Sequence, residues 1–230
     1  MTARVSLTRA ARVLETGVAA LVIVCVVLGG SVWLLTTPGY VRALVRAVGS
    51  AQSTGLGENE TLAAAEAVRR FVVDPDAPAL PAMIDDVPAF DDAAVSHLVD
   101  VRNVVVPARW LTVGLLGAVL AWALLRRRTS VGRQAVARAS ASAAALMIGG
   151  AVLALLVGVA DFDAFFAWFH SLFFAEGTWT FPYEALLIRV FPLPFWITAA
   201  ATWGALVLIS SVGLCWFARR SRFTVGTYGV

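Results

Sequence analysis

Four long stretches of the chain are almost wholly apolar, and the segments between them carry apolar residues at helical spacing among polar ones. The stretches run from about Thr16 to Thr36, Trp110 to Leu125, Ala139 to Ala160 and Phe195 to Phe217. Each approaches the ~20 residues an α-helix needs to cross a bilayer. The second is the shortest, and Val104, Val105 and Val106 extend its helix outward. The first is long for a signal-peptide core and is followed by no clear small-x-small cleavage site, so it reads as an uncleaved signal anchor. The pattern predicts an all-α membrane protein of one integral membrane domain over residues 1–230, with spans at about 16–36, 110–125, 139–160 and 195–217.

The segment after the first span has its own structure. Val41, Leu44, Val45 and Val48 recur at helical spacing with Arg42 and Arg46 on the other side, which suits a short helix lying on the membrane surface. Asn59 is placed to cap a second helix through Val73, carrying Leu62, Val68 and Phe71. Pro75, Pro78, Pro81 and Pro88 then predict an extended passage. Asp91 or Asp92 caps a third helix that feeds into the second span. The segment before the last span is short and aromatic, with Phe162, Phe165, Phe166, Trp168, Phe169, Phe173, Phe174, Trp179, Phe181 and Tyr183 among its rings. Aromatic rings favour the headgroup layer. So many of them suggest a half-buried platform beyond an anchoring belt.

Composition agrees with the pattern. Hydrophobic residues make up 60% of the chain and charged residues 14%, against about 25% charged in soluble domains. Nucleic-acid binding and cytosolic dinucleotide enzymes are thereby disfavoured. All 18 basic residues are arginine. Their positions explain the net charge of +3 better than an acidic partner does. Arg4, Arg9 and Arg12 precede the first span. Arg126, Arg127, Arg128, Arg133 and Arg138 join the second and third, and Arg219, Arg220 and Arg222 follow the fourth. Only Glu15 opposes them, and the other acids lie in residues 37–109 and 161–194. The positive-inside rule therefore predicts a multi-pass plasma-membrane protein with both termini cytoplasmic and two helical segments, 37–109 and 161–194, capping the outer face. Cys25 and Cys215 both sit in apolar runs and read as inert thiols.

Candidate chemistry is sparse. The chain has two histidines, His97 and His170, one in each predicted outer segment. His97 borders the apolar stripe of its helix, and Asp100, three residues on, is a surface neighbour able to orient the imidazole. His170 is flanked at helical spacing by Phe166, Phe173 and Phe174, surroundings that tend to keep it neutral. Either histidine alone is equally well an interfacial side chain with its tip in water. Arg102, Arg189 and Glu184 are as readily solvated helix-end charges. No HExxH, GxSxG or phosphate-binding glycine loop occurs. The core of each span lacks a charged residue, which disfavours a pump or channel. The doublets Asp85-Asp86 and Asp91-Asp92 need only cap and solvation roles, and no metal or cofactor is expected.

Two stretches carry a resemblance. Ser96-His97-Leu98-Val99-Asp100-Val101-Arg102 resembles an H-[LM]-x-D-V motif, and FHSLFFAEGTWTFPYEALLIRVFPLPFW, from Phe169 to Trp196, resembles an FHxxFF…W…LIxxFPxxF[FW] block. Together they are similar to a family of four-span bacterial integral membrane proteins whose characterised branch is the lipoprotein intramolecular transacylase. The resemblance implies an acyltransferase on the extracytoplasmic face, moving the sn-2 acyl chain of a diacylglyceryl lipoprotein onto the α-amino group of its N-terminal cysteine. It implies a catalytic pair, matching His97 and His170; Asp100, Arg102, Trp179 and Arg189 are the candidate supporting residues beside them. The partner it implies is membrane lipid or a diacylated lipoprotein.

The reaction suits such residues. An α-ammonium has a pKa near 7.7–8.0, so an imidazole near 6.5 can deprotonate it at modest cost. The attacked ester develops an oxyanion that needs a donor, and the leaving glyceryl oxygen needs a proton. Donor and acceptor share one molecule, so positioning replaces an acyl-enzyme. Two other readings stand beside this one. The first is a non-enzymatic lipid-binding or assembly protein using the aromatic platform. The second, a bis-histidine haem site, is disfavoured because its ligands usually project from spans into a buried pocket.

Overall fold

The structure, a computed structural model, describes residues 2–226, and side chains for 9–221 except those at 87 and 160. Arg4 and Arg222 of the charge pattern lie outside the described side chains. Helices dominate the described residues. Four are long and apolar enough to cross a membrane: α1 (Thr2–Leu35), α5 (Asp92–Arg126), α6 (Ser130–Ala160) and α9 (Leu193–Gly226). Each contains one of the predicted spans. The third predicted outer helix and the second span are one continuous helix, α5, which runs 35 residues through Pro107. A proline there costs one backbone hydrogen bond, which the rest of so long a helix absorbs.

By internal contacts the chain divides into two compact units. The first comprises Met1–Ser31, Trp110–Leu156 and Gly204–Val230. Its buried positions are small. On α6, Ala139, Ser140, Ala143, Ala144 and Met147 share one buried face, the small-residue packing that lets helices approach closely where lipid removes the hydrophobic drive. At Gly29 a methyl group would collide with the Thr112 side chain, so glycine permits that close approach of α1 and α5. Leu155, Leu156 and Ile209 are largely exposed, as suits residues facing lipid. Polar groups in this unit are satisfied locally. Ser211 donates to Val207 O, and the Glu15 carboxylate accepts from Trp122 Nε1 at 2.8 Å and pairs with Arg126 at 2.6 Å. The one acid in the arginine-rich segments thus has a structural partner.

The second unit comprises Val32–Arg109 and Val157–Trp203 and holds the chain's main buried core. Four shorter helices join α5 here in sequence order, namely α2 (Pro38–Ala47), α3 (Ser50–Thr54), α4 (Glu58–Val73) and, after the third long helix, α7 (Phe162–Ser171). A fifth, α8 (Leu186–Val190), precedes α9. The α2 stripe Val41, Leu44 and Val45 does not lie on a membrane surface. It is buried against Ala64, Ala65, Val68 and Phe71 of α4, with Leu98 of α5 and Leu187 and Val190 of α8 in the same core. An amphipathic stripe buries itself wherever an apolar partner is available, and α4 supplies one.

Two local expectations change in the same way. The cap of α4 is Gly57 and not Asn59, which sits in the first turn between Glu58 and Glu60. The proline-rich passage is not simply extended, because Met83–Ile84 (β1) and Val87–Pro88 (β2) pair as an antiparallel hairpin. Asp85 (φ 51°) and Asp86 (φ 59°) form its two-residue turn. Aspartate tolerates that left-handed conformation, and paired left-handed residues match the twist of a hairpin. Between Asp91 and Asp92, the cap of α5 is Asp91, whose Oδ1 accepts from Ala94 N at 2.8 Å.

Candidate active site

The second unit draws both histidines together. His97 lies in the second turn of α5, where the Asp91 cap and the buried neighbours Ala94 and Leu98 fix its face toward the core. It is only 9% exposed. His170 lies at the end of α7, which starts where Asp161 accepts from Ala164 N at 2.9 Å. The helix stops at Ser171, and the amides of Phe173 and Phe174 both turn back to His170 O. That turn separates the three phenylalanines expected around His170. Phe166 and Phe174 contact its ring, at 3.9 and 5.8 Å between centroids. Phe173 instead packs on Phe169 and Phe174 and is half exposed.

The two imidazoles stand 6.4 Å apart, centroid to centroid, with planes inclined by 29°. That is too far for a direct hydrogen bond and close enough for both to touch one substrate group. Phe174 bridges them, lying 5.0 Å from His97 edge-on. Phe181 packs on His97 at 5.5 Å, and Trp179 packs on His170 at 4.9 Å. The segment's aromatics therefore divide by role. Phe191 and Phe195 are core, Phe166, Phe174, Trp179 and Phe181 cage the histidines, and Trp168, Phe169, Phe173 and Tyr183 are exposed.

The tautomer of His170 follows from its partner. Nδ1 lies 2.8 Å from Phe166 O, and a carbonyl only accepts, so Nδ1 carries the proton. In the neutral ring Nε2 is then the free base. Burial pushes the His170 pKa below its ordinary value, against the smaller raising effect of the Phe166 hydrogen bond. A group with a lowered pKa is neutral, and so able to accept a proton, at neutral pH. On His97, Nδ1 is buried and has no hydrogen-bond partner among the described residues. Asp100 therefore does not hold that nitrogen, although it sits one turn away on the same helix.

The other residues singled out from sequence have different places. Arg102 Nε donates to Phe71 O, and its guanidinium lies 3.9 Å over the Phe71 ring. Arg189 Nη1 donates to Thr54 O at 3.0 Å. Each arginine thus serves the C-terminal end of a helix, α4 or α3, where carbonyls are unpaired and a cation is favoured. Trp179 belongs to the histidine cage. It follows a tight turn in which Thr178 N donates to Ala175 O at 3.3 Å with Gly177 at φ 82°. That conformation strains any residue with a Cβ, so Gly177 fixes where Trp179 enters. Phe181 escaped sequence reasoning as a neighbour of His97. Its only signal was its place in the aromatic block, because the contact joins residues more than eighty positions apart.

Comparison with known proteins bears on the family and the fold. The profile of the lipoprotein intramolecular transacylase family, Lit, matches residues 16–196. No curated protein sequence matches the chain. Among solved structures, the in meso structure of the membrane-integral lipoprotein intramolecular transacylase Lit from Bacillus cereus superposes with a TM-score of 0.74 at 17% identity, covering 93% of this chain and 96% of that one. A variant of the same protein with a histidine replaced by arginine gives 0.75 at 15% identity, covering 97% of both chains. One with a histidine replaced by alanine gives 0.74 at 16%, covering 96% of this chain and 98% of that one. Similarity this low in sequence carries the fold, and the family match carries membership. The chain belongs to the lipoprotein intramolecular transacylase family of membrane acyltransferases.

Proposed function

We propose that this chain moves an acyl chain within a diacylglyceryl lipoprotein, from the glyceryl ester to the α-amino group of the N-terminal cysteine, using His170 as base and His97 as its partner. The observation that carries the reading is the 6.4 Å approach of the only two histidines in the chain, inside one aromatic cage. The free amine attacks the ester carbonyl, and the new C–N bond makes the attacking nitrogen strongly acidic. A base of lowered pKa suffices at that point, and Nε2 of neutral His170 is free to take the proton. As the carbonyl re-forms, the C–O bond to glycerol breaks. The imidazolium returns its proton to the departing oxygen, while His97 on the facing side hydrogen-bonds that oxygen. Phe166, Phe174 and Phe181 shield these steps from water, which would otherwise hydrolyse the ester.

The arginine asymmetry supports placing both termini in the cytoplasm and this site at the extracytoplasmic surface, where lipidated N-termini emerge. The exposed rings of Trp168, Phe169, Phe173 and Tyr183 suit contact with acyl chains of the outer leaflet. Mass spectrometry of lipoprotein N-terminal peptides from cells with and without this protein tests the reading. An acyl group relocated to the cysteine nitrogen only when the protein is present is the expected result. Identical spectra, with the protein expressed and inserted, would refute it.

A further inference from the structure

Besides the imidazole of His97, the histidine cage contains an N–H that no described protein group uses. Trp179 Nε1 is fully buried and finds no acceptor among the described residues. Its indole packs at 4.9 Å on the ring of His170 and at 6.1 Å on that of Phe166. Leaving a buried donor unmet costs about 1–3 kcal/mol. A phenylalanine at this position would fill much of the same space without that cost. An indole N–H can only donate, so it can serve neither as the base nor as a resting place for a proton. It suits an acceptor that becomes more basic as reaction proceeds.

Among the other cage residues, His97 serves the departing glyceryl oxygen in the reading above, and the rest have no donor to spare. Phe166, Phe174 and Phe181 offer none, His170 Nδ1–H is committed to Phe166 O, and His170 Nε2 is the free lone pair. We propose that Trp179 is a further catalytic residue, whose Nε1–H binds the carbonyl oxygen of the ester and stabilises the oxyanion that forms there. The inference rests on the acyl-transfer reading above.

The step balances within the substrate. The amine lone pair forms the C–N bond, and the carbonyl π pair moves onto oxygen, where the Trp179 N–H shares its hydrogen without giving it up. His170 Nε2 takes the proton from nitrogen. The oxygen pair then returns to carbon, the bond to the glyceryl oxygen breaks, and the same proton completes a glyceryl hydroxyl. The left-handed Gly177 is what makes such a donor useful. It sets Trp179 at the end of a fixed turn, so the N–H need not reorganise when charge develops.

The test uses the full-length protein in lipid nanodiscs with a synthetic peptide bearing an S-dipalmitoylglyceryl cysteine at its N-terminus. Trp179 is replaced by phenylalanine and, separately, by β-(3-benzothienyl)alanine, which exchanges N–H for sulfur in the same bicyclic shape. Removing one oxyanion donor typically lowers kcat by about 10²–10³. Both variants are expected to show that loss, with KM changed far less and the pH profile unmoved, since the N–H does not titrate. A benzothienyl variant at wild-type rate would overturn the assignment, even if Trp179→Phe were slow or unfolded. A loss accompanied by a shifted acid limb would also overturn it, because Trp179 would then act by packing His170. Inactive His97→Ala and His170→Ala controls keep the proposed function standing in either case. Active ones would sink that function, and the role of Trp179 with it.

Discussion

Replacing His170 by alanine separates chemistry from packing in this protein. The structural loss is modest. The ring gives up one hydrogen bond to Phe166 O, worth about 1 kcal/mol, and the packing of a half-buried side chain that lies outside the buried core. None of the large core residues of the second unit is touched, so the variant is expected to insert and to melt only a few degrees below the parent. The catalytic loss is larger. A general base typically supplies ~10²–10⁴ in rate, or roughly 3–5 kcal/mol at 1.36 kcal/mol per decade.

The assay is conversion of a diacylated lipopeptide at matched protein quantity, followed by mass spectrometry across pH. In the parent, both the substrate amine, near 7.7–8.0, and His170 must be unprotonated. Burial lowers the His170 pKa, so its neutral form persists to more acid pH than an exposed histidine would allow, and its limb lies below about 6.5. Well below both values the logarithm of the rate should rise with a slope of about two per pH unit. In His170→Ala the imidazole limb disappears and a slope of about one remains. A variant that keeps its rate within tenfold of the parent and shows the same acid limb would refute the assignment of the base.

Further outcomes follow from the same geometry. His97→Ala is expected to cost about 10² or more in rate at unchanged expression, while Asp100→Asn costs less than tenfold, because Asp100 makes no hydrogen bond to Nδ1 of His97 that the change could remove. Equal losses in the two variants, read in the lipopeptide assay, would give Asp100 a direct role. Gly177→Ala forces a Cβ into φ 82°, a strain of about 1–2 kcal/mol, and should lower the rate by displacing Trp179 while lowering the melting temperature by only about 2–8 °C. A Gly177→Ala enzyme as fast as the parent would show that the turn does not set the site. For topology, in a background lacking the two native cysteines, an impermeant thiol reagent applied to whole cells should label Asp76→Cys and spare Arg128→Cys. The reverse pattern would invert the proposed orientation.

The apolar runs alone determine four spanning helices, because a stretch of about twenty apolar residues has few stable alternatives to a lipid-buried helix. The family resemblance was equally legible, since His97 and His170 sit in local blocks whose residue order survives in the linear chain. Caps were legible only in part. Asp91 acts locally within one turn, whereas the cap of α4 and the Asp85-Asp86 hairpin were misread, and the cap of α7 at Asp161 was not read at all. The burial of α2 against α4 could not be read, because an amphipathic stripe has the same period whether its partner is lipid or protein. Nor could the roles of the arginines, since Arg102 and Arg189 reach the ends of α4 and α3 across 31 and 135 positions in sequence. The same holds at the site. Spacing placed Phe166 beside His170, but α7 ends at Ser171, and only the resulting turn brings Phe174 between the histidines and leaves Phe173 outside. Local interactions are written in residue order. The distance between His97 and His170, and the buried N–H of Trp179 beside them, arise from packing of segments remote in sequence, and only the tertiary structure fixes those.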